Sequence, residues 1–266
     1  MDLELTGKRV IVTGGSRGIG KAVALELARE GVDVALVARQ RDTLDEAAAE
    51  IRDATGRRVI ALTADTGRDE DVRALVEQTV AELGGVDVLV NAAAKPGGQG
   101  PVPKLGDITD ELFWDDMNVK VMGYLRCARE VAPHMQRAGW GRIINISGLA
   151  ARSSGSTIGS MRNVAVSAMT KNLADELGPY GINVTVVHPG LTRTEKTEQV
   201  VAARAAATGK PAAEVEAAME RANIIGHLIT AAEVAYVVAF LASPKSIAIN
   251  GDAIAAGGGV GRAIHY

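Results

Sequence analysis

The chain has 266 residues, of which 47% are apolar and 23% charged, and its formal net charge is −3 at pH 7. This length and composition predict one large globular domain with a substantial core. Lys and Arg are scattered among Asp and Glu without a basic stripe, which argues against nucleic acid and against an anionic membrane as partners.

The chain carries one cysteine, Cys127, which excludes an internal disulfide and is compatible with a reducing compartment. No apolar run approaches the roughly 20 residues that a membrane-spanning helix needs. The N-terminal segment MDLELTGKR lacks the apolar core of a signal peptide. We therefore expect a cytoplasmic protein without a membrane segment.

Short runs rich in Val and Ile alternate with longer segments of helical periodicity. The runs predict buried strands at residues 9–14, 32–38, 58–65, 86–92, 141–147 and 182–190, and at DAIAAGG near the C-terminal end. Segments 18–30 and 68–83 repeat apolar residues every three or four positions, which predicts amphipathic helices. This alternation predicts an α/β fold with a parallel sheet that helices cover on both faces.

The least regular part is residues 191–227, which are Ala-rich, charged and helical in period. The segment follows the C-terminal end of a predicted strand, where substrate lids of α/β folds are often built. It is equally consistent with a surface helical hairpin that gates nothing.

A glycine-rich turn joins the first predicted strand to the first helix, in VIVTGGSRGIGKAVALEL. Gly14, Gly18 and Gly20 fall between a buried strand and an amphipathic helix, the context in which such glycines are informative. They allow a tight turn and bring the helix N-terminus, with its unpaired N–H groups, against a pyrophosphate. The turn therefore predicts a dinucleotide site.

Four motifs together resemble the short-chain dehydrogenase/reductase family, over about residues 5–259. They are TGGSRGIG at 13–20, Asp65 after the third strand, NAAA at 91–94 in place of Asn-Asn-Ala-Gly, and HPGLTRT at 188–194. The resemblance implies one doubly wound Rossmann-type domain over residues 1–266, with 191–227 as an insertion. It also implies hydride transfer with a nicotinamide cofactor and a homo-oligomer, either a dimer or a tetramer.

The resemblance further implies which residues surround the cofactor. Ser16, Arg17 and Ile19 would line the phosphates with the three glycines, and Asp65 and Thr66 would meet the adenine. Asn91, Ala92 and Ala93, at the end of another strand, would complete the cofactor site. Pro189, Gly190 and Thr194, after a further strand, would flank the nicotinamide.

The end of the second strand indicates which dinucleotide is bound. In VALVARQR, Ala38 stands where NAD-binding members of the family carry Asp, and Arg39 follows. A carboxylate there would bind the ribose 2′-hydroxyl, whereas Arg17 and Arg39 could clamp a 2′-phosphate in charge-assisted bonds. We therefore expect NADP(H). If Arg39 is only a solvated residue, NAD would bind weakly instead.

The proton-handling residues of the family are replaced in this chain. The family uses a Tyr, a Lys one helical turn later, a Ser on the preceding strand and an Asn on an earlier helix. Alignment back from MTKNLADELGPYGINVTVVHPG places Gly159 at the Tyr position and Asn163 at the Lys position. Gly148 stands at the Ser position, with Ser147 just before it.

The earlier helix carries the complementary change. In FWDDMNVKVMGYLRCAREVAPHM, alignment on Gly123 and Pro133 places Lys120 at the Asn position. Because the family keeps these two positions close together, Lys120 and Asn163 could retain an ammonium and an amide in one space and act with Ser147. Alternatively, Asn118 fills the Asn role through a slipped helix and Lys120 is a surface residue, or the site is no longer used.

No side chain is an obvious replacement for the phenol. Tyr124 and His188 are explained more simply as packed residues, while Arg152 and Arg162 could hold a substrate anion or be solvated loop residues. Hydroxyl groups in the loop above the cofactor could orient an oxygen but are weak acids: Ser147, Ser153, Ser154, Ser156, Thr157 and Ser160. No metal-ligand cluster or hydrolase triad is recognisable, so we expect neither.

Two classes of function follow. The first is an NADP(H)-dependent oxidoreductase that acts on a small-molecule carbonyl, alcohol or activated double bond, with proton delivery through Lys120, water and the serine loop. The second is a cofactor-binding but inactive sensor, scaffold or partner subunit. The cofactor motifs support the first class, and the replaced residues support the second.

Assembly is predicted from the family's habit of pairing the helices that correspond to 104–136 and 156–178. VAVSAMTKNLADEL has the small, apolar face that such a four-helix interface needs, although the same face could simply cover the sheet. The C-terminal GVGRAIHY could close over its own pocket or a neighbour's.

Overall fold

The computed structural model describes residues 1–94 and 102–260, and most of GVGRAIHY therefore lies outside the described residues. Seven parallel strands form one sheet in the order β3-β2-β1-β4-β5-β6-β9. Their bounds are β1 (Arg9–Thr13), β2 (Asp33–Ala38), β3 (Val59–Thr63), β4 (Val88–Asn91), β5 (Gly141–Ile146), β6 (Ile182–Pro189) and β9 (Ala253–Ala256). Two short strands, β7 (Thr192–Arg193) and β8 (Ile229–Thr230), form a separate parallel pair.

Helices cover both faces of the sheet: α1 (Gly18–Arg29), α2 (Arg41–Thr55), α3 (Asp69–Leu83), α4 (Asp110–Met117), α5 (Gly123–Ala138), α6 (Thr157–Leu177), α7 (Thr197–Thr208), α8 (Ala212–Glu220) and α9 (Ala231–Ala242). Alternate residues of one strand enter opposite cores, since Val10 and Val12 pack in one cluster and Ile11 in the other. The predicted doubly wound α/β fold is confirmed. No helix among the described residues is long and apolar enough to cross a membrane.

The strand order reverses between β1 and β4, which are neighbours in the sheet although β2 and β3 lie between them in sequence. Ligands of such sheets bind beyond the carboxyl ends of the strands at this switch point. The glycine turn follows β1, the residues after Asn91 follow β4, and Ser147 follows β5. The fold therefore gathers the predicted site residues along one edge.

A π-helical turn, Asn118–Met122, joins α4 to α5. Hydrogen bonds in such a turn span five residues instead of four, so the turn shifts the side chains that follow it, and π turns are frequent at functional sites. Here the backbone N–H of Gly123 donates to the carbonyl oxygen of Asn118, and Lys120 is only 3% exposed. The interpretation of Lys120 as a surface residue is therefore wrong.

The irregular segment predicted at 191–227 is a helical hairpin on a narrow neck. The chain leaves along β7 and returns along β8, which pair with Thr192 opposite Ile229. Helices α7 and α8 share a small apolar cluster made of Val201, Val215, Met219 and Leu228. A gating role for this hairpin stays a prediction.

Candidate active site

The glycine turn after β1 packs too closely for residues with side chains. Gly14 and Gly18 have φ angles of 68° and 58°, in the left-handed region that favours glycine. A Cβ on Gly14 would lie 2.8 Å from the carbonyl oxygen of Ala92, and one on Gly20 would lie 2.3 Å from that of Gly14. The turn therefore brings the N-terminus of α1 close to the end of β4, and this cradle fits a dinucleotide pyrophosphate.

Three more of the predicted phosphate-binding residues lie in this turn: Ser16, Arg17 and Ile19. Arg17 is exposed, and it emerges near Arg39 because β1 and β2 pair with Thr13 opposite Val37. Arg39 is exposed as well, and β2 ends on Ala38 rather than on an acidic residue. Arg17 and Arg39 therefore both follow the carboxyl ends of two neighbouring strands.

The hydroxyl of Thr13 holds the loop after β4, a contact that was not predicted. Thr13 is fully buried, and its Oγ1 accepts hydrogen bonds from the N–H groups of Ala92 and Ala93 at 3.1 and 3.2 Å. Asn91 is also fully buried, and its Nδ2 donates to Oδ1 of Asn145 at 3.0 Å. The side-chain amide of Asn91 is therefore engaged inside the protein, and its cofactor contact stays a prediction.

The loop after β3 contains Asp65 and the buried Thr66. Oδ1 of Asp65 accepts a hydrogen bond from the N–H of Gly67 at 2.9 Å, and Nδ2 of Asn118 donates to the carbonyl oxygen of Gly67 at 3.3 Å. Asn118 therefore stabilises the loop at the predicted adenine end. The interpretation in which a slipped helix lets Asn118 fill the family's Asn role is wrong.

The other flank of the cofactor site is built from the residues after β6. Pro189 ends this strand, and a Cβ on Gly190 would lie only 2.9 Å from Cα of Gly257. Thr194 approaches the glycine turn, since its methyl group lies 3.6 Å from where a Cβ of Gly18 would stand. The neighbouring Glu195, which was not predicted, accepts a hydrogen bond from the N–H of Gly18 at 3.0 Å.

Lys120 joins two acceptors from different elements. Its Nζ donates to Oδ1 of Asn163 on α6 and to the carbonyl oxygen of Ser147 after β5, both at 3.0 Å. Asn163 is 4% exposed, so the contact is buried. The three residues predicted as the catalytic set therefore contact one another.

The charge of Lys120 is weakened by its surroundings. Burial lowers the pKa of the Lys120 ammonium to about 7, the nearby Arg162 guanidinium acts in the same direction, and the Asp116 carboxylate opposes them. Nη1 of Arg162 donates to Oδ1 of Asp116 at 2.5 Å, and Arg162 is 7% exposed. Arg162 is thus a buried helical residue rather than a solvated loop residue, and Asp116 is a partner that the sequence analysis missed.

The geometry around Nζ suits a group that gains and loses a proton. A neutral amine has two N–H groups and one lone pair, and an ammonium has three N–H groups. The oxygens of Ser147 and Asn163 engage two N–H groups, so both bonds persist in either state. The remaining position on nitrogen is then an N–H donor in one state and a lone pair in the other.

Residues next to the Lys120 cluster pack closely against Asn163. Oγ of Ser147 donates to the backbone carbonyl oxygen of Asn163 at 3.2 Å. A Cβ on Gly148 would lie 3.2 Å from Nδ2 of Asn163, closer than most side chains allow. Gly159 stands in the first turn of α6, where its N–H donates to Oγ of the capping residue Ser156 at 3.1 Å.

Tyr124 and His188, two further candidates for the proton donor, are already hydrogen-bonded inside the protein. The hydroxyl of Tyr124 is buried and donates to the carbonyl oxygen of Ile146 at 2.9 Å, and burial raises the pKa of this phenol. His188 is 1% exposed, and both of its ring nitrogens have partners. Arg152 lies nearby and donates to the carbonyl oxygen of Ala253 at 3.0 Å.

A cavity of about 350 Å³ lies between residues 102–105 and the N-terminal end of α6. Its walls include Lys104 and most of the hydroxyl groups of the predicted serine loop: Ser153, Ser154, Ser156, Thr157 and Ser160. Gly159 lies between the lining residues Thr157 and Ser160 in α6, one turn before Asn163. Lys120, Asn163 and Ser147 are not part of its lining.

A family profile described as short chain dehydrogenase matches residues 8–205, which carry the glycine turn, the Lys120 cluster and the end of β6. The chain belongs to the short-chain dehydrogenase family. This short-chain dehydrogenase is 34% identical over 250 residues to the short-chain reductase protein NovJ of Streptomyces niveus, covering 94% of this chain and 92% of the relative.

Solved structures resemble this short-chain dehydrogenase over almost its whole length. L-sorbose reductase from Gluconobacter frateurii, complexed with NADPH and L-sorbose, superposes with a TM-score of 0.92 at 30% identity, covering 99% of this chain and 100% of that one. NAD⁺-bound xylitol dehydrogenase superposes with a TM-score of 0.87 at 27% identity, covering 96% and 100%. Structures of this kind therefore include both dinucleotides.

Proposed function

We propose that this member of the family is an NADP(H)-dependent oxidoreductase that reduces a small carbonyl compound, or oxidises its alcohol, with Lys120 as the proton donor and acceptor. The observation that carries the proposal is the pair of 3.0 Å bonds that hold Nζ of Lys120 between Asn163 and Ser147. They place one titratable group, with a pKa near neutrality, at the carboxyl edge of the sheet.

The bound nicotinamide supplies the hydride, or accepts it in the reverse direction. The residues of this chain bind and orient: the turn with Gly14, Gly18 and Gly20 would hold the pyrophosphate, and the segment from Pro189 to Thr194 would flank the ring. The other proposed cofactor-binding residues are Ser16, Arg17, Ile19, Arg39, Asp65, Thr66, Asn91, Ala92 and Ala93.

Proton transfer completes the reaction at the substrate oxygen. A ketone that gains a hydride needs a proton from a donor within hydrogen-bond reach, directly or through one water. The Lys120 ammonium would donate it from the position that Asn163 and Ser147 leave open, and hydroxyls of the serine loop would orient the oxygen. Because the acid form is consumed in reduction, kcat for reduction should fall as pH rises through about 7.

The preference for NADP(H) is supported by Arg17 and Arg39 at the end of β2, where a 2′-phosphate would gain charge-assisted bonds. Two of the similar proteins act on, or are named for, a ketose and a polyol, and one of them is complexed with NADPH. The hydroxyl-lined cavity at the N-terminal end of α6 suits polar carbonyl substrates of this size. Ketoses and small ketones are therefore the first compounds to assay, with residues 191–227 as the proposed lid.

The direct test replaces Lys120 with methionine, which keeps a long apolar side chain but removes the titratable nitrogen. Lys120→Met should lower kcat by roughly a hundredfold, as loss of a general acid does, while the Kd for NADPH stays unchanged. The matched control is Lys171→Met, which removes an exposed lysine of α6 that pairs with Asp175. A Lys120→Met protein with the kcat of the unaltered protein would show that another group moves the proton.

A second candidate function is a cofactor-binding protein that has lost turnover. Gly159 and Asn163 carry neither the phenol nor the ammonium that the family uses, which favours this alternative. Tight NADPH binding with no NADPH oxidation by any carbonyl in the panel would support it over the enzyme.

We also propose a homodimer or homotetramer, because Met161 and Val164 on α6 and Trp114 on α4 are large apolar residues that are each at least 50% exposed. Light scattering of the unaltered protein and of Val164→Glu tests this assembly. The cytoplasmic location stays a prediction.

A further inference from the structure

His188 is a buried histidine that the proposed reaction does not use directly. It lies in β6 with 1% of its surface exposed. Its Nδ1 lies 3.2 Å from the backbone nitrogen of Gly148, and its Nε2 lies 3.2 Å from Oγ of Ser167 on α6. Ser167 in turn donates to the backbone carbonyl oxygen of Asn163 at 3.2 Å. One imidazole therefore connects two elements that meet at Lys120.

The direction of each bond in this chain follows from one backbone amide. The N–H of Gly148 can only donate, so Nδ1 of His188 must be an unprotonated acceptor. A neutral imidazole then carries its proton on Nε2, which donates to Oγ of Ser167. The Ser167 proton is left for the carbonyl oxygen of Asn163, and every donor finds an acceptor.

One end of this hydrogen-bond chain is Asn163, which holds Lys120, and the other end is Gly148, the neighbour of the second residue that holds Lys120. Gly148 directly follows Ser147, whose carbonyl oxygen accepts one bond from Nζ, and Asn163 supplies the acceptor of the other. We propose that His188, acting with Ser167, is a positioning residue that sets where the Lys120 nitrogen lies and how readily it holds its proton. This inference rests on the proposed role of Lys120 and adds the residues that make the role possible.

Charged groups lie near both His188 and Lys120. Burial lowers the pKa of His188 to about 4, and the nearby Arg152 and Lys120 cations act in the same direction. His188 therefore stays neutral at physiological pH, and each donor and acceptor in this hydrogen-bond chain keeps its role there. Lys120 is faced by Arg162 of α6, Asp116 of α4 and His188 of β6.

Three substitutions remove chosen hydrogen bonds from this network. In His188→Asn, an amide oxygen near the position of Nδ1 can still accept from Gly148, but the shorter side chain cannot reach Ser167. Ser167→Ala cuts that same link from the other side. His188→Gln keeps a donor near the position of Nε2 and loses the acceptor for Gly148. His134→Asn is the matched control, because His134 is a partly exposed histidine of α5 paired with Arg137 and lies outside this hydrogen-bond chain.

We expect each of the three variants to lower kcat about tenfold, the effect of one lost hydrogen bond in a buried network, with an unchanged Kd for NADPH. His188→Asn and Ser167→Ala both remove the link between His188 and Ser167, and Ser167→Ala also removes the bond to Asn163, so the double variant should be no slower than the slower of the two single variants. Additive losses, an unaltered kcat, or a parallel loss of NADPH binding would each overturn the proposal.

A readout without turnover separates this inference from the proposed function. The protein labelled with ¹³C at lysine Cε is titrated by NMR, with Lys120→Arg used to assign the Lys120 signal. Misplaced acceptor oxygens stabilise the ammonium less, so the midpoint of the Lys120 titration should fall in His188→Asn and in Ser167→Ala. A midpoint that is unchanged or raised contradicts the positioning role. Failure of the proposed function would show instead as wild-type kcat in Lys120→Met or as no turnover at all.

Discussion

Nζ of Lys120 and Oδ1 of Asn163 lie 3.0 Å apart and connect the π turn after α4 to helix α6. In the family pattern that the resemblance implies, Asn stands at the first of these positions and Lys at the second, and the exchange of the two residues stays a hypothesis. The exchange hypothesis required this proximity. The catalytic use of the pair stays a proposal.

The exchange predicts strong coupling between positions 120 and 163. Asn163→Lys alone would bury a second ammonium beside Lys120, and the free energy of unfolding should fall by about 3 kcal/mol. Adding Lys120→Asn restores one amide and one ammonium, so the double variant should regain most of that loss. The free energy of unfolding is measured in urea at pH 6.5 for Asn163→Lys, Lys120→Asn and the double variant. A coupling energy below about 0.5 kcal/mol would mean that the two positions act independently.

The lowered pKa of Lys120 predicts how stability changes with pH. The folded-state pKa is about 7 and the unfolded-state value about 10.5, so the unfolded chain holds the proton more tightly between these pH values. Stability must then rise with pH across this window, by up to about 1.4 kcal/mol per pH unit, and stay flat below pH 7 where both states are charged. Urea unfolding between pH 6 and 9.5 should show this rise in the unaltered protein relative to Lys120→Met. Parallel curves would place the Lys120 pKa near its ordinary value.

Cofactor preference should depend on Arg39. Arg39→Asp removes a cation from the proposed 2′-phosphate site and adds a carboxylate for the ribose 2′-hydroxyl. We expect the Kd for NADPH to rise at least about tenfold and the Kd for NADH to fall. Fluorescence titration with both dinucleotides measures the switch, with the exposed Arg73→Asp on α3 as the matched charge change. A preference for NADH in the unaltered protein would remove the basis of the NADP(H) proposal.

Glu195 should weaken cofactor binding, because its carboxylate accepts the Gly18 N–H that a pyrophosphate oxygen would use. Glu195→Gln removes the negative charge, and the Kd for NADPH should fall by a few-fold, the usual size of a charge effect at a helix N-terminus. Adenosine 2′-monophosphate has no pyrophosphate, so its binding should not change. Glu198→Gln on α7 is the control, and equal tightening by both variants would point to a general charge effect.

The sheet could be predicted because buried parallel strands are continuous Val and Ile runs, as in RVIVT of β1 and VLVN of β4. The glycine turn could be predicted because Gly14 and Gly18 adopt φ values that exclude most other residues. Both signals are local in sequence. They determine the fold and the cofactor end of the site.

The long-range contacts at the candidate site could not be predicted in the same way. Glu195 and Gly18 are 177 residues apart, and Asp116 meets Arg162 across 46 residues. Neither pair leaves a periodic pattern, since each depends on how α4, α6 and the neck are placed on the sheet. The π turn has no simple sequence signature either, although it decides that Lys120, and not Asn118, enters the interior.

The neck formed by β7 and β8 holds the two ends of the helical hairpin together. The chain departs at Thr192–Arg193 and re-enters at Ile229–Thr230, on strands that are hydrogen-bonded to each other. A stretch whose ends already touch can be lengthened, shortened or replaced at little cost in loop entropy. Residues 196–228 are therefore a graftable module, which selection or an engineer can exchange while Thr194 and the bond between Glu195 and Gly18 are kept.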